Sequence, residues 1–212
     1  MYSTNDWFYF TEGLDKKTCN KIRNSAKGKW EESGVNTKKD TTDEGRISGE
    51  KLILGIDKKA RISDVAWTTD HDQWIYNTIW PWMEQANERA GWKYDITGAE
   101  SMQITRYKKG GFYYFHKDGR GDHLSAYDMP DSEFLHGNVR KLSMTVLLNS
   151  NYEGGEFQFA TLNQEKCTID TPEFNKTGMI IMFPSDMEHR VAPVTKGIRY
   201  TLVTWFLGPP FK

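Results

Sequence analysis

The chain has 212 residues, a formal net charge of -1 and a mean hydropathy of -0.72. No apolar run approaches the roughly 18 residues that a membrane span needs, so these values exclude a membrane-embedded protein. The balanced charge offers no electrostatic footprint for nucleic acid or an anionic membrane, and a 14% aromatic content argues against a disordered chain. A single domain is the expectation at this length.

The compartment is predicted from the N-terminal residues and from the cysteines. The opening MYSTNDWFYF lacks the basic and apolar regions of a signal peptide. Cys19 and Cys167 could form at most one disulfide, and two reduced thiols are the simpler interpretation. The sequence therefore predicts a cytoplasmic protein.

Apolar residues spaced by three or four positions predict two helices in the N-terminal half of the chain. The first covers residues 14–30 and has Asp15 as its N-cap. The second runs from about residue 70 to residue 90, where Gly91 stops it. Pro81 falls inside the second helix, and its missing N–H predicts a kink there.

The remaining segments predict strands and loops. Polar residues 31–51 form a loop or weak hairpin, and short strand-like runs follow in residues 52–67. From residue 99 onward, short alternating or aromatic segments are separated by Gly, Pro, Asn or Asp, which is typical of strands. These segments are AESMQITRYK, GFYYFHKD, KLSMTVLLN, GEFQFA, KCTID, GMIIMFP, HRVAPV and RYTLVTWFL. The aperiodic stretch 119–140 interrupts them as a long loop.

The fold predicted from this order is mainly β with supporting N-terminal helices, an α+β arrangement. Many short strands at this spacing favour a sandwich or jelly roll, that is, a double-stranded β-helix. We expect residues 1–98 to form a helical and strand support region of the same domain, and residues 99–212 to form the jelly-roll core.

A candidate metal site begins with His116 and Asp118. Residues two apart in a strand share a face, so this imidazole and carboxylate point the same way, with Tyr114 behind them. They are two ligands of the facial triad that leaves positions open on a non-haem Fe(II). Of the other histidines, His189 opens a short strand after an apolar one, where a distant jelly-roll strand can return beside His116. We therefore expect it to be the third ligand.

Arg199 is a candidate anion-binding residue. Strand parity places it on one face with Val203 and Trp205, where an unpaired guanidinium is costly. A salt bridge to Asp or Glu would satisfy it, and so would the carboxylate of a ligand, which Arg grips with two parallel hydrogen bonds.

The motifs around these residues resemble the prolyl-4-hydroxylase-like branch of the Fe(II)/2-oxoglutarate dioxygenases, in its bacterial or phage type. The spacing Tyr107-x-x-Gly110-x-x-Tyr113-x-x-His116-x-Asp118 is similar to that family's first motif. The segment from His189 to Trp205 resembles its second motif, and LLN followed by EGGEF resembles its conserved strand and Gly-Gly turn. The resemblance covers about residues 99–207.

The resemblance implies an enzyme and assigns roles to its site residues. His116, Asp118 and His189 would bind Fe(II), while Arg199 and the Tyr107 hydroxyl would hold the far carboxylate of 2-oxoglutarate. Trp205 would line the pocket near the metal. The implied cosubstrates are 2-oxoglutarate and O2, with ascorbate as a candidate reductant, and the products are succinate, CO2 and a hydroxylated substrate.

Particular residues also select among the branches of the family. Arg199 stands where members that act on collagen-like substrates have Lys, and sensor and bacterial types have Arg. Asp118 stands where the halogenase branch has a small residue, which favours hydroxylation. Trp205 stands where the nucleic-acid demethylating branch has a further Arg, which disfavours nucleobase repair.

Two further residues are candidates for contact with the substrate. Arg120 directly follows the metal-binding motif. Tyr113 has two possible roles, contact with the substrate ring or aromatic packing under the sheet. Strand parity places Tyr113 opposite His116 unless a bulge intervenes. The loops 31–51 and 119–140 flank the predicted mouth, and we expect them to close over a peptide.

The leading functional prediction is prolyl hydroxylation in a peptide or protein partner, with no nucleic-acid or membrane partner. Hydroxylation of a free amino acid or small metabolite is the alternative within enzymes, and a closed pocket rather than an extended groove would favour it. A non-catalytic jelly-roll binding module is the alternative outside enzymes. The same ligand set also suits Zn(II) or Mn(II).

Overall fold

Two α-helices occur in the part of the chain that the computed structural model describes, which comprises residues 6–33, 35–36, 54–55, 58–119, 125–163 and 166–211. Helix α1 spans Lys16–Ser25, and the side chain of Asp15 caps it by accepting a hydrogen bond of 2.6 Å from the Thr18 backbone N–H. The predicted cap is confirmed, but the helix is shorter than residues 14–30. It ends at a turn that contains Gly28, whose φ of 78° favours glycine.

Helix α2 spans Gln73–Arg89 and follows a single 3-10 turn, Asp70–Asp72. Gly91, with a φ of 79°, lies just past its end and terminates it as predicted. Pro81 lies inside the helix, as predicted. The kink that its missing N–H predicts stays a prediction.

The strands have these bounds in chain order: β1 Phe8–Phe10, β2 Glu31–Glu32, β3 Val35–Asn36, β4 Leu54–Gly55, β5 Arg61–Ile62, β6 Asp64–Trp67, β7 Gly98–Ala99, β8 Gln103–Tyr107, β9 Phe112–His116, β10 Val139–Leu147, β11 Tyr152–Gly154, β12 Phe157–Asn163, β13 Lys166–Asp170, β14 Ile180–Pro184, β15 Glu188–Val191, β16 Val194–Gly197 and β17 Arg199–Gly208. Each segment predicted as a strand after residue 99 overlaps at least one of them. Pro193, which has no N–H for a ladder, separates β15 from β16.

The strands form two larger antiparallel sheets and two further two-stranded antiparallel pairs. The larger sheet has the order β1-β14-β10-β17-β8-β6-β2, with β7 also paired to β17, and the smaller sheet has the order β13-β12-β15-β9-β5. The remaining pairs are β11 with β16 and β3 with β4. Strands from the N-terminal half, β1, β2, β5 and β6, extend both sheets. The architecture is thus mainly β with supporting helices, as predicted.

Two apolar clusters hold these layers together. The first packs α1 and α2 against one face of the larger sheet, with Ile22, Ile79, Met144, Leu202 and Phe206 at its centre. The second fills the space between the sheets, and its members are Tyr107, Leu147, Phe157, Phe159, Phe174, Met179, Ile181, Phe183, Val191 and Val194. The candidate site residues lie beside this second cluster, in the interior of the jelly roll.

The two predicted long loops are only partly described. Residues 37–53 and 120–124 lie outside the described residues, and the second of these ranges includes Arg120. The second loop ends earlier than predicted, because β10 already begins at Val139. Its described part folds back on itself through a bridge between Tyr127 and His136. Closure of either loop over a substrate stays a prediction.

Candidate metal centre and its pocket

His116, Asp118 and His189 come together at the end of two neighbouring strands. Strand β9 pairs with β15 in a register that sets His116 directly opposite His189. Asp118 lies two residues beyond the end of β9, in a bend whose backbone N–H donates to the Ser185 carbonyl at 2.9 Å. One ligand atom from each of the three side chains lies within 4.8 Å of the others. The predicted cluster therefore exists in the fold.

The orientation of both imidazole rings suits metal binding. The Nδ1 atom of His116 lies 2.8 Å from the Tyr114 carbonyl oxygen, and that of His189 lies 3.0 Å from the Met187 carbonyl oxygen. A carbonyl only accepts, so each Nδ1 carries the proton and each Nε2 keeps a free lone pair. These Nε2 atoms lie 3.6 Å from the two carboxylate oxygens of Asp118.

Burial and charge set the protonation of the cluster. Burial and, to a smaller extent, the neighbouring His116 lower the pKa of His189 to about 4. For Asp118, burial acts to raise the pKa, but the electrostatic influence of His189, His116 and Arg140 together holds it well below its usual value. At neutral pH the cluster therefore offers a carboxylate together with a neutral imidazole from His189, the forms that bind a cation.

Asp118 is further held by a network that the sequence did not reveal. Nη1 of Arg140 donates to the Asp118 carbonyl oxygen at 2.6 Å, while its Nε and Nη2 donate to the two Glu100 carboxylate oxygens at 2.6 Å each. The Tyr127 hydroxyl also donates to Glu100. This paired Arg140 stacks on the ring of Trp205, 4.1 Å from its centroid. The network ties the bend of Asp118 to β10 and to the long loop.

Arg199 lies deep in the same interior with no anion of its own. It is 1% exposed, and its Nε, Nη1 and Nη2 atoms have no hydrogen-bond partner among the described residues. The salt bridge considered from the sequence is therefore absent from the described part of the chain. Tyr107 pairs with Arg199 in the ladder, and its ring centroid lies 5.7 Å from the guanidinium carbon.

A glycine makes room for the stem of Arg199. Gly155 has a φ of 69°, and a Cβ atom at this position would lie 2.9 Å from the Arg199 Cδ atom. Any larger residue would be strained in this backbone conformation and would press on the guanidinium stem. The Gly-Gly turn noted in the sequence therefore has a structural role beside the anion-binding residue.

Tyr113 and Tyr114 do not occupy the faces that strand alternation predicts. The pairing of β9 with β15 contains an irregularity, since the four residues of β9 from Tyr113 to His116 lie opposite the three residues of β15 from His189 to Val191. The bulge turns Tyr113 onto the face of His116, and the two rings stack with centroids 3.5 Å apart. Tyr114, expected behind the ligands, is instead 59% exposed. Tyr113 thus lies where the sequence allowed it only if a bulge intervened, and the placement expected for Tyr114 was wrong.

Trp205 lies on the interior face of β17, as predicted. It is 8% exposed, and its Nε1 atom is buried without a hydrogen-bond partner among the described residues. A buried indole N–H usually has a partner. Among the described residues, the interior of the jelly roll therefore holds two buried donor groups without a partner, the guanidinium of Arg199 and the indole of Trp205.

Comparison with known proteins identifies the family. Residues 102–207, half of the chain, match the 2OG-Fe(II) oxygenase superfamily, and the chain belongs to this family. A PKHD-type hydroxylase of Synechococcus sp. (strain CC9902) is 41% identical over 90 residues, which make up 42% of this chain and 36% of that relative. The match therefore spans little more than a third of the relative's length.

Solved structures share the fold across nearly the whole chain. The viral collagen prolyl hydroxylase vCPH from Paramecium Bursaria Chlorella virus-1, in its 2OG complex, has a TM-score of 0.61 at 18% identity and covers 96% of this chain and 97% of its own. The Trichoplax adhaerens prolyl hydroxylase, in complex with a hypoxia inducible factor oxygen degradation domain peptide fragment, has a TM-score of 0.62 at 18% identity, covering 96% and 84%. The predicted family and jelly-roll fold are thus confirmed.

No helix in the described part of the chain has the length and apolar character needed to cross a membrane.

Proposed function

We propose that this chain is a 2-oxoglutarate-dependent hydroxylase that acts on a prolyl residue of a peptide or protein. The observation that carries the proposal is the presence, in one jelly-roll interior, of a His-Asp-His cluster and a buried guanidinium without an anion. In the chemistry of the family, the His-Asp-His cluster would bind a divalent metal and the guanidinium would bind a dicarboxylate.

The donor set fits Fe(II). Two imidazole nitrogens and one carboxylate form the facial arrangement that leaves other positions of the ion open. The backbone carbonyls behind both imidazoles, together with Arg140 behind Asp118, orient the three ligands before any ion arrives. His116, Asp118 and His189 would hold the metal.

The unsatisfied guanidinium fits the far carboxylate of 2-oxoglutarate. A buried cation with three nitrogens free of partners is unfavourable unless a ligand supplies the negative charge. A carboxylate that accepts two parallel hydrogen bonds from Arg199 would satisfy it. The Tyr107 hydroxyl lies on the adjacent strand and is the second proposed donor.

With Fe(II) and 2-oxoglutarate bound, the cofactors supply oxidative decarboxylation by O2, which yields succinate and CO2 and converts a C–H bond of the substrate into C–OH. The chain supplies orientation and a dry environment. Phe157 and Phe183 pack against the ring of His189 and shield it from water. Trp205, stacked under Arg140, forms a wall of the proposed pocket.

A prolyl substrate is the finer part of the proposal. Its support is the fold shared with prolyl hydroxylases, one of them solved with a peptide fragment. The bulge in β9 adds to this support, because it turns Tyr113 toward the metal cluster, where the edge of its ring can contact a substrate ring. Arg120 stays a proposed contact. Ascorbate as reductant and a cytoplasmic location stay predictions from the sequence.

The test is succinate formation from 2-oxoglutarate with a panel of proline-rich peptides and added Fe(II). We expect peptide-dependent succinate and a peptide product heavier by one oxygen atom, both lost in His116→Ala and in Arg199→Ala. The matched control is His71→Ala, an exposed histidine in the 3-10 turn before α2. Succinate formation that persists in His116→Ala, or that needs no Fe(II), would contradict the proposal.

A further inference from the structure

A second buried guanidinium lies close to the candidate metal centre. Arg61 is in β5, at the edge of the smaller sheet, and is paired in register with Tyr113. It is 7% exposed, and its guanidinium carbon lies 4.5 Å from the centroid of the Tyr113 ring. Tyr113 in turn stacks on His116. A single aromatic ring therefore separates Arg61 from a proposed metal ligand.

The partners of Arg61 are all neutral. Its Nε donates to the Ser63 hydroxyl at 2.8 Å, and its Nη2 donates to the Gln103 Oε1 atom at 2.8 Å. No carboxylate of the described residues pairs with it. A guanidinium this deeply buried is costly without a negative charge nearby.

Other arginines of the molecule show what a satisfied guanidinium looks like here. Arg106 also stacks on an aromatic ring, that of Trp30, and its Nε lies 2.7 Å from an Asp64 carboxylate oxygen. Arg140 stacks on a ring and binds Glu100. Arg61 stacks on a ring but has no acid among the described residues. It shares this condition with Arg199 and with the less buried Arg190, which lies over Phe115 and donates to the Gln158 Oε1 atom.

Gln103 extends this donor group into the interior of the jelly roll. Its Oε1 atom accepts from Arg61 and, at 3.2 Å, from the Thr105 hydroxyl, which fixes the orientation of the amide. With Oε1 so occupied, the two N–H donors of the Gln103 amide are left for another partner. Residues two apart share a face, so Gln103 lies on the same side of β8 as Tyr107, the neighbour of Arg199 in the ladder.

We propose that Arg61 and Gln103 form a subsite for a carboxylate of the substrate. The wall they form holds guanidinium and amide donors and no acid, so it favours an anionic acceptor over a neutral one. This inference rests on the proposed function and deepens it. The substrate would carry a carboxylate close to the C–H bond that is hydroxylated.

The carboxylate has two chemical sources. It can be an acidic side chain next to the target residue of a peptide, or the free carboxylate of an amino acid. Both satisfy the same donors, so experiments must first establish the carboxylate preference and then separate the sources.

The first experiment measures carboxylate binding without turnover. Side-chain Nε–H NMR signals of arginine are followed in the full chain loaded with Zn(II) and saturating 2-oxoglutarate, while acetate or its uncharged counterpart acetamide is added. The Arg61 signal is identified by its loss in Arg61→Met. We expect acetate to shift it with an affinity at least about tenfold above that of acetamide, the effect of one charge-assisted hydrogen bond.

An Arg61 signal that acetate does not move, or that acetamide moves equally, would overturn the inference. Because the signal belongs to one residue, this result does not depend on the proposed function. Failure of 2-oxoglutarate to bind, measured on the same sample, would count against the proposed function instead.

The second experiment identifies the source by kcat/KM for succinate formation. It compares capped peptides with Asp or Asn beside the proline, and L-proline with L-prolinamide. In one of the two pairs, we expect kcat/KM to be about tenfold higher for the substrate with the carboxylate than for its amide counterpart. This preference should vanish in Arg61→Met. Arg106→Met, which removes a stacked arginine from the opposite face of β8, should keep it. Equal rates within both pairs, or an unchanged preference in Arg61→Met, would contradict the subsite.

Discussion

The two faces of strand β17 differ in what they bury. On the side of the helices, Leu202 and Phe206 pack into a continuous apolar cluster. On the side of the jelly-roll interior, Arg199 and Trp205 are buried with donor groups that no described residue satisfies. One strand thus contributes to stability on one face and keeps unsatisfied polar groups on the other. Substitutions on the two faces should therefore change different measurable quantities.

The largest effect is expected from Arg199→Met. Loss of the two-pronged carboxylate grip should weaken 2-oxoglutarate binding by about 100-fold. The metal-free chain should be as stable as the wild type or more so, because the substitution removes an uncompensated buried charge. Calorimetric titration and thermal unfolding measure the two quantities.

The matched control for Arg199→Met is Arg106→Met. Arg106 is ion-paired with Asp64. It lies on the face of β8 opposite Tyr107, which is the neighbour of Arg199 in the ladder. Its loss should lower the melting temperature and leave 2-oxoglutarate affinity unchanged. If Arg199→Met destabilised the metal-free chain as much as a core truncation does, the interior face of β17 would contribute to stability like its helix-facing side, and the proposed difference between the two faces would be wrong.

Leu202→Ala tests the helix-facing side. Leu202 is 1% exposed within the apolar cluster, so its truncation should lower the free energy of unfolding by about 2–5 kcal/mol. The affinity of the folded protein for 2-oxoglutarate should stay the same. Ile169→Ala, at a 51% exposed position of β13, is the control and should change stability by under about 0.5 kcal/mol.

Arg140→Lys tests whether the interior network positions the metal carboxylate. Lysine lacks the planar fork with which Arg140 binds both Glu100 oxygens in parallel while it also donates to the Asp118 carbonyl. We expect metal affinity to fall about tenfold, as for other groups that orient metal ligands. Arg106→Lys, which alters a similar stacked ion pair elsewhere, should leave metal affinity unchanged. Equal metal affinity in both variants would assign Arg140 a purely structural role.

The smallest effect concerns the two thiols. Cys19 lies on the helix-covered side, where burial and the nearby Asp15 raise the pKa of its thiol to about 11, whereas Cys167 is exposed on β13. Iodoacetamide should therefore modify Cys167 in the folded protein and leave Cys19 unmodified. Mass spectrometry of Cys167→Ser, treated in the same way, should detect no adduct; rapid labelling of Cys19 would contradict this assignment.

Local patterns were enough to predict much of the fold and the centre of the site. Asp15 caps α1 and Gly91 ends α2 because both signals act within one helical turn. His116 and Asp118 are close in the chain, and His189 and Arg199 are held by strands whose apolar patterns are clear. The three proposed metal ligands therefore meet as the sequence predicted.

Features that depend on ladder irregularities or distant pairing escaped prediction. The side on which Tyr113 lies is decided by a bulge in β9, and no residue type in that segment marks the bulge. The Glu100–Arg140 pair joins residues forty positions apart in the chain. Arg61 lies in a short strand whose neighbours become apparent only when β5 joins the smaller sheet.

The most direct measurement is calorimetric titration of 2-oxoglutarate into the chain with and without Mn(II), for the wild type, Asp118→Ala and Arg199→Met. The account predicts tight binding only in the metal-loaded wild type. Loss of the metal site should abolish it, and loss of Arg199 should weaken it about 100-fold. Binding of equal strength without metal, or unchanged binding in Arg199→Met, would contradict the claim that these residues hold one metal and one dicarboxylate together.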